Sequence, residues 1–138
     1  MNRNLAVALG VIVLAVAAVV LGTRDTGPPE GCDAVQQAVT IVEDLRGSRE
    51  FPTADRYAEA GRAVRASAVA APGEVAPEVH ALADAYGQLG ILFQGFDPED
   101  PATYPVIEVR TPDIEREEAR VEESAQQVSA WFRERCAG

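Results

Sequence analysis

Two cysteines, a lone histidine and several groups of acids are the residues of this chain whose types and spacing could do chemistry. Cys32 and Cys136 could pair as a disulfide, ligate a metal or carry redox work. No Cys-x-x-Cys pair occurs, which argues against redox work. Two Cys and one His cannot complete a tetrahedral zinc site without carboxylates, so no metal is expected. A nucleophile–base pair would have to use His80, which follows Val79 and lies off the apolar stripe of its segment; it reads as a surface or boundary residue. No serine sits in a Gly-x-Ser-x-Gly elbow and no glycine-rich phosphate loop is present. Asp97, Glu99 and Asp100 could hold Ca²⁺ loosely, but they lack the alternating oxygen ligands of an EF-hand and two prolines stiffen them. Glu117, Glu118, Glu122 and Glu123 read as a solvated helix face; general acid or base work would need a cleft that the sequence does not show. The expectation is therefore no catalytic residue, no cofactor and no enzyme.

The compartment decides how the two cysteines are read, and the run Leu5–Gly22 bears on the compartment. It holds only Leu, Ala, Val, Ile and Gly, bounded by Asn2, Arg3 and Asn4 before and Thr23, Arg24 and Asp25 after. A helix apolar on every side is at home in lipid, where its backbone bonds close internally. At 1.5 Å per residue the run spans about 26 Å, slightly short of a hydrocarbon core of about 30 Å. It is longer than the usual core of a cleaved signal, and Val20-Leu21-Gly22 is only a passable cleavage site. The run is read as a transmembrane signal anchor over 5–22, with 1–4 cytoplasmic; a cleaved, secreted form is the alternative. Pro28-Pro29-Glu30-Gly31 before Cys32 does not suit lipoprotein attachment, and no twin-arginine pair occurs.

The remainder is one small domain. The chain carries 12 basic residues, all arginine, and 22 acids, for a net charge of −10. Such a surface is repelled by nucleic acid and by anionic headgroups, so neither is expected as a ligand.

Residues 23–31 form a linker, since Gly27, Pro28, Pro29 and Gly31 deny it regular structure. Val35, Val39, Val42 and Leu45 predict a first helix over 33–46, with Gly47 as its C-cap. Thr53 caps a second helix to about Ala70, whose inner face, Tyr57, Gly61, Val64 and Ala68, is poor in bulk. A third helix begins near Glu74 or Pro77 and reaches about Phe93, with Val79, Leu82, Tyr86, Leu89 and Phe93 inward. Gln94–Arg110 is expected as a long loop, with Tyr104–Val109 extended and packed along the bundle. Thr111-Pro112-Asp113 reads as the start of a fourth helix whose inner face is Ile114, Val121, Ala125, Val128 and Phe132. Arg116 and Arg120 are available for i,i+4 pairs with its glutamates.

The predicted fold is all-α: an N-terminal transmembrane helix, then an antiparallel up-down-up-down four-helix bundle over 32–138. That topology brings the start of the first helix and the end of the fourth together, where Cys32 and Cys136 lie. In an exported, oxidising setting a disulfide is expected. The far end would carry Phe51, Phe96, Asp97, Glu99, Asp100 and Tyr104, the candidate partner-facing residues; the plainer reading is that their aromatic rings cap the core. Tyr57, Tyr86 and Phe93 are candidates to line a pocket between helices.

Cys32-Asp33 opening the domain, Ala71-Pro72-Gly73-Glu74-Val75 between two helices, and Trp131-Phe132 with Cys136 closing it resemble the small exported or membrane-anchored helical proteins of high-GC actinobacteria. The resemblance implies a helical bundle and an envelope location, and no activity. The leading expectation is a membrane-anchored extracytoplasmic domain acting as a non-enzymatic binding or accessory module, with an unknown protein partner. The alternative is a small-ligand carrier or sensor.

Overall fold

A computed structural model describes residues 29–137. Among these, four α-helices and one short 3₁₀ turn are present and no strand: α1 (Cys32–Gly47), α2 (Ala54–Ala70), α3 (Ala76–Leu92), the 3₁₀ turn Pro101–Thr103, and α4 (Tyr104–Arg135). The anchor assigned to 5–22 and most of the linker lie outside the described residues. No helix of the described residues is long and apolar enough to cross a membrane.

Each boundary has a local cause. Gly31 precedes α1 at φ 91°, and a Cβ there would stand 2.8 Å from Pro72 Cδ, so glycine is needed for both conformation and space. Thr53 Oγ1 accepts from Arg56 N at 3.3 Å and caps α2. Ala71, before Pro72, takes extended backbone and ends that helix. Pro77 sits in the first turn of α3, where a missing N–H leaves no bond unmade. Gly47 is not the cap expected of it. It is the last helical residue of α1, and Ser48 leaves in extended backbone.

The helices run antiparallel around a closed ring. The Cys32–Cys136 disulfide ties the start of α1 to the end of α4, and Arg46 near the end of α1 pairs with Glu122. Glu74, just before α3, meets Trp131 and Arg135 near the end of α4, while Arg110 meets the end of α3. The apolar stripe of α3 (Val79, Leu82, Tyr86, Leu89 and Phe93) is buried along its whole length. It faces Val35, Ala38 and Val42 of α1, Tyr57, Val64 and Ala68 of α2, and Ile114, Ala125 and Val128 of α4.

The bundle departs from the sequence expectation at the start of α4. Tyr104–Val109 is helix and not an extended loop, and α4 begins seven residues before Thr111. Pro105 stands in the first turn, where it is tolerated. Pro112 lies inside the helix, a placement that costs about 3 kcal/mol in a regular interior. The carbonyl it deprives of an N–H belongs to Glu108, and both residues are exposed, so water can reach that group. Packing offsets the rest: Ile107 and Ile114, on either side of the proline, contact the core. Arg110 also donates to the main-chain oxygens of Leu92 at 2.8 Å and Gln94 at 2.9 Å, capping the end of α3. The ion pairs of α4 form at i,i+3 and not i,i+4: Asp113–Arg116 and Glu117–Arg120.

The seam between α2 and α3 is set by glycine. A Cβ on Gly61 would lie 3.0 Å from Gly87 N and 3.1 Å from Ala83 O; one on Gly90 would lie 3.1 Å from Ala58 N. These are backbone atoms that cannot swing aside. A Cβ on Gly87 meets nothing within 4 Å. Gly61→Ala and Gly90→Ala are each expected to destabilise the fold by about 1–3 kcal/mol through overpacking. Gly87→Ala is expected to be neutral or to stabilise by up to about 1 kcal/mol through helix propensity. Thermal melts of the three variants, followed by helical circular dichroism, check this; equal losses at all three would refute the close seam.

Candidate functional site

The α1–α2 turn and the α3–α4 connection lie at the end of the bundle away from the disulfide, and there the candidate residues converge. Phe51 stacks at 5.7 Å from Phe93 and 5.6 Å from Phe96, and Phe96 stands 6.0 Å from Tyr104. Phe93 is buried and continues inward to Tyr57 at 5.2 Å, which stacks on Tyr86 at 6.4 Å. One aromatic column therefore runs from the core to the surface. Its outer rings are open to solvent: Phe51 is 52% exposed and Tyr104 43%. The expectation that the aromatics cap the core and the expectation that they face outward thus describe two ends of the same column.

The acids beside it sit in a folded turn. Asp97 Oδ1 accepts from Glu99 N at 2.9 Å and Asp100 Oδ1 from Ala102 N at 3.0 Å. Thr103 closes the turn, donating its hydroxyl toward the oxygens of Asp97 and Asp100 and accepting from Asp97 N. The Tyr104 hydroxyl donates to Pro98 O at 3.0 Å, which locks the turn to the exposed ring. Two of the three carboxylates are thus committed to backbone N–H groups, a poor start for a cation site. No group of three or more His, Cys, Asp or Glu among the described residues is placed to hold a metal ion. None of the five ion pairs among the described residues involves Glu50, Asp97, Glu99 or Asp100.

Tyr57, Tyr86 and Phe93, the candidate pocket lining, pack on one another, with Tyr57 between the other two rings. A cleft of about 190 Å³ opens beside Tyr57 and Tyr86, walled also by Arg46, Glu118 and Glu122; Phe93 is not part of it. It is smaller than the roughly 300 Å³ at which small-molecule sites usually begin. Larger grooves of about 450 and 470 Å³ flank α1, lined mainly by polar side chains such as Gln36, Thr40 and Ser129. His80 is exposed on α3, as expected. Glu117 departs from the solvated face assigned to it, since its side chain is only 12% exposed where it pairs with Arg120.

Residues that sequence reasoning missed are Arg110, which clamps α3 to α4 beneath the tip, and Thr103, which organises the acidic turn. A lone arginine closing the mostly aliphatic stretch Val106-Ile107-Glu108-Val109 is the one signal that could have marked Arg110. No known protein family, curated protein or solved structure matches the chain. The class is therefore set by the geometry alone: a disulfide-closed helical bundle with an aromatic, acidic tip.

Burial raises the phenol of Tyr57, and nearby Glu118 adds to that. Burial pushes Tyr86 up to about 12; Arg46 opposes this, and Tyr57 and Glu122 reinforce it. A phenol harder to ionise in the folded chain than in the unfolded one stabilises the fold fully below the free-phenol value of about 10. That contribution is lost as pH climbs from there toward 12. Alkaline titration at the phenolate absorbance band is expected to show Tyr86 ionising near pH 12 together with unfolding, and Tyr86→Phe is expected to remove that step. Ionisation of Tyr86 near pH 10 with the helices intact would contradict its burial.

Proposed function

We propose that the chain is a non-enzymatic binding or accessory module of the cell envelope. It is held to the membrane by residues 5–22 and presents the bundle outside the cytoplasm, with 1–4 inside and 23–31 as the tether. The apolar run Leu5–Gly22 supports the anchor. The Cys32–Cys136 disulfide supports an oxidising compartment, where such bonds persist. The two readings agree.

The observation that carries the functional reading is the contiguous aromatic surface in which the exposed rings of Phe51 and Tyr104 flank the half-buried Phe96. The tether reaches the domain at Cys32, and α1 with 16 residues carries the chain about 24 Å from that end. The tip would therefore stand away from the bilayer, where a partner can reach it. Its composition favours binding over turnover. Aromatic faces and solvated carboxylates make contacts, whereas a general acid or base needs a partner and a pKa suited to proton transfer.

Photo-crosslinking tests this. A benzophenone amino acid in place of Phe51, in cells that make the protein natively, is expected to yield a discrete protein adduct. The same probe at Val69, 84% exposed near the opposite end, is expected to yield none. Absence of an adduct from position 51, or identical adducts from both positions, would overturn the reading.

A further inference from the structure

We propose that the partner surface taken by the tip is a cationic segment of another protein, an arginine- or lysine-bearing stretch with an aromatic or aliphatic anchor. This rests on the reading of the tip as the docking face and adds the chemistry of what docks.

The argument begins with charge. Residues 48–56 and 93–110 carry six carboxylates, at positions 50, 55, 97, 99, 100 and 108, against three guanidiniums, at 49, 56 and 110. Two of those guanidiniums have other work: Arg56 donates to Ser48 Oγ at 2.7 Å and Arg110 to two main-chain oxygens. Neither they nor Arg49 form an ion pair among the described residues. Negative charge at the tip is thus left uncompensated, around rings whose faces also attract cations. An apolar anchor stacking on Phe51 and Tyr104, with basic residues reaching the acidic turn, would satisfy both halves of the surface.

The same charge rejects the other occupants. A second copy docking tip to tip would bring an identical acidic surface against the first, and like charges brought together in an interface repel. An anionic bilayer or a nucleic acid would be repelled in the same way.

The test uses the full chain in nanodiscs of zwitterionic phosphatidylcholine, with empty discs as the blank. The probe is a labelled synthetic peptide of about 12 residues, of arginine, tryptophan, glycine and serine; the comparison peptide has serine for every arginine. Binding is read by fluorescence anisotropy. The variants are Phe51→Ala and the double charge reversal Glu50→Lys/Glu99→Lys. Among the described residues neither carboxylate in the double variant makes a hydrogen bond or ion pair, so it carries the test alone should Phe51→Ala fail to fold.

The expected result is saturable binding of the arginine peptide. It should be about tenfold weaker for either variant and for the serine peptide, and should fall as salt rises. Equal binding of the two peptides, with only Phe51→Ala reducing it, would overturn the cationic partner while leaving the tip as a docking face. Binding of the arginine peptide unchanged by either variant, or no binding of either peptide, would overturn the proposal; the crosslink from position 51 then separately decides whether the tip docks anything. Self-association of the full chain that Phe51→Ala abolishes would also overturn it, in favour of a second copy.

Discussion

The covalent bond between Cys32 and Cys136 is the constraint on which the rest of the bundle depends. Helix α1 is short and gives the core mainly Val35, Ala38 and Val42, with grooves open on both of its sides. Its one ion pair across to α4, Arg46–Glu122, is half-exposed on both partners and adds little. The disulfide joins residues 104 apart in the chain, and chain-entropy reasoning assigns a loop of that size about 4–5 kcal/mol. That is a large share of the stability of a small domain, and it acts where α1 and α4 meet.

The rest of the core explains why such a staple matters. Buried side chains of α2 are mostly Ala, Val and Gly, and small side chains remove little apolar area each. The seam compensates by close approach: Gly61 and Gly90 let α2 and α3 touch at the backbone. Bulk is concentrated in α3 and in the aromatic column that climbs from Tyr86 to Phe51. The two ends of the bundle are therefore built differently. One is closed by a covalent bond, the other by rings that reach the surface. If the domain is held at the first end, as proposed, the second is free to meet a partner.

Much of this layout was legible in the sequence because it rests on short-range rules. The seven-residue recurrence of Val79, Leu82, Tyr86, Leu89 and Phe93 marks α3, and Thr53 marks the start of α2. The meeting of Cys32 and Cys136 follows from helix count and short turns. The start of α4 was not legible, because Thr111-Pro112-Asp113 is a sound local start signal that tertiary contacts override. Ile107 and Arg110 are held by α3 and the core, and neither contact is written in neighbouring residues. The tip was legible as to which residues share an end of the bundle. That Phe93, Phe96 and Phe51 stack into a column, and that Tyr57 and Tyr86 stack with a cleft of about 190 Å³ beside them, depends on ring packing that periodicity does not encode.

The central claim is that the cysteines pair because the bundle lies outside the cytoplasm, tethered through Leu5–Gly22. Non-reducing mass spectrometry of the protein from its native membrane fraction tests this most directly, since one measurement reads both the N-terminal mass and the cysteine state. The account predicts a chain that retains residues 5–22, with a Cys32–Cys136 linkage found in the digest. Free thiols on a chain that keeps the run would place the domain in a reducing compartment and contradict the account.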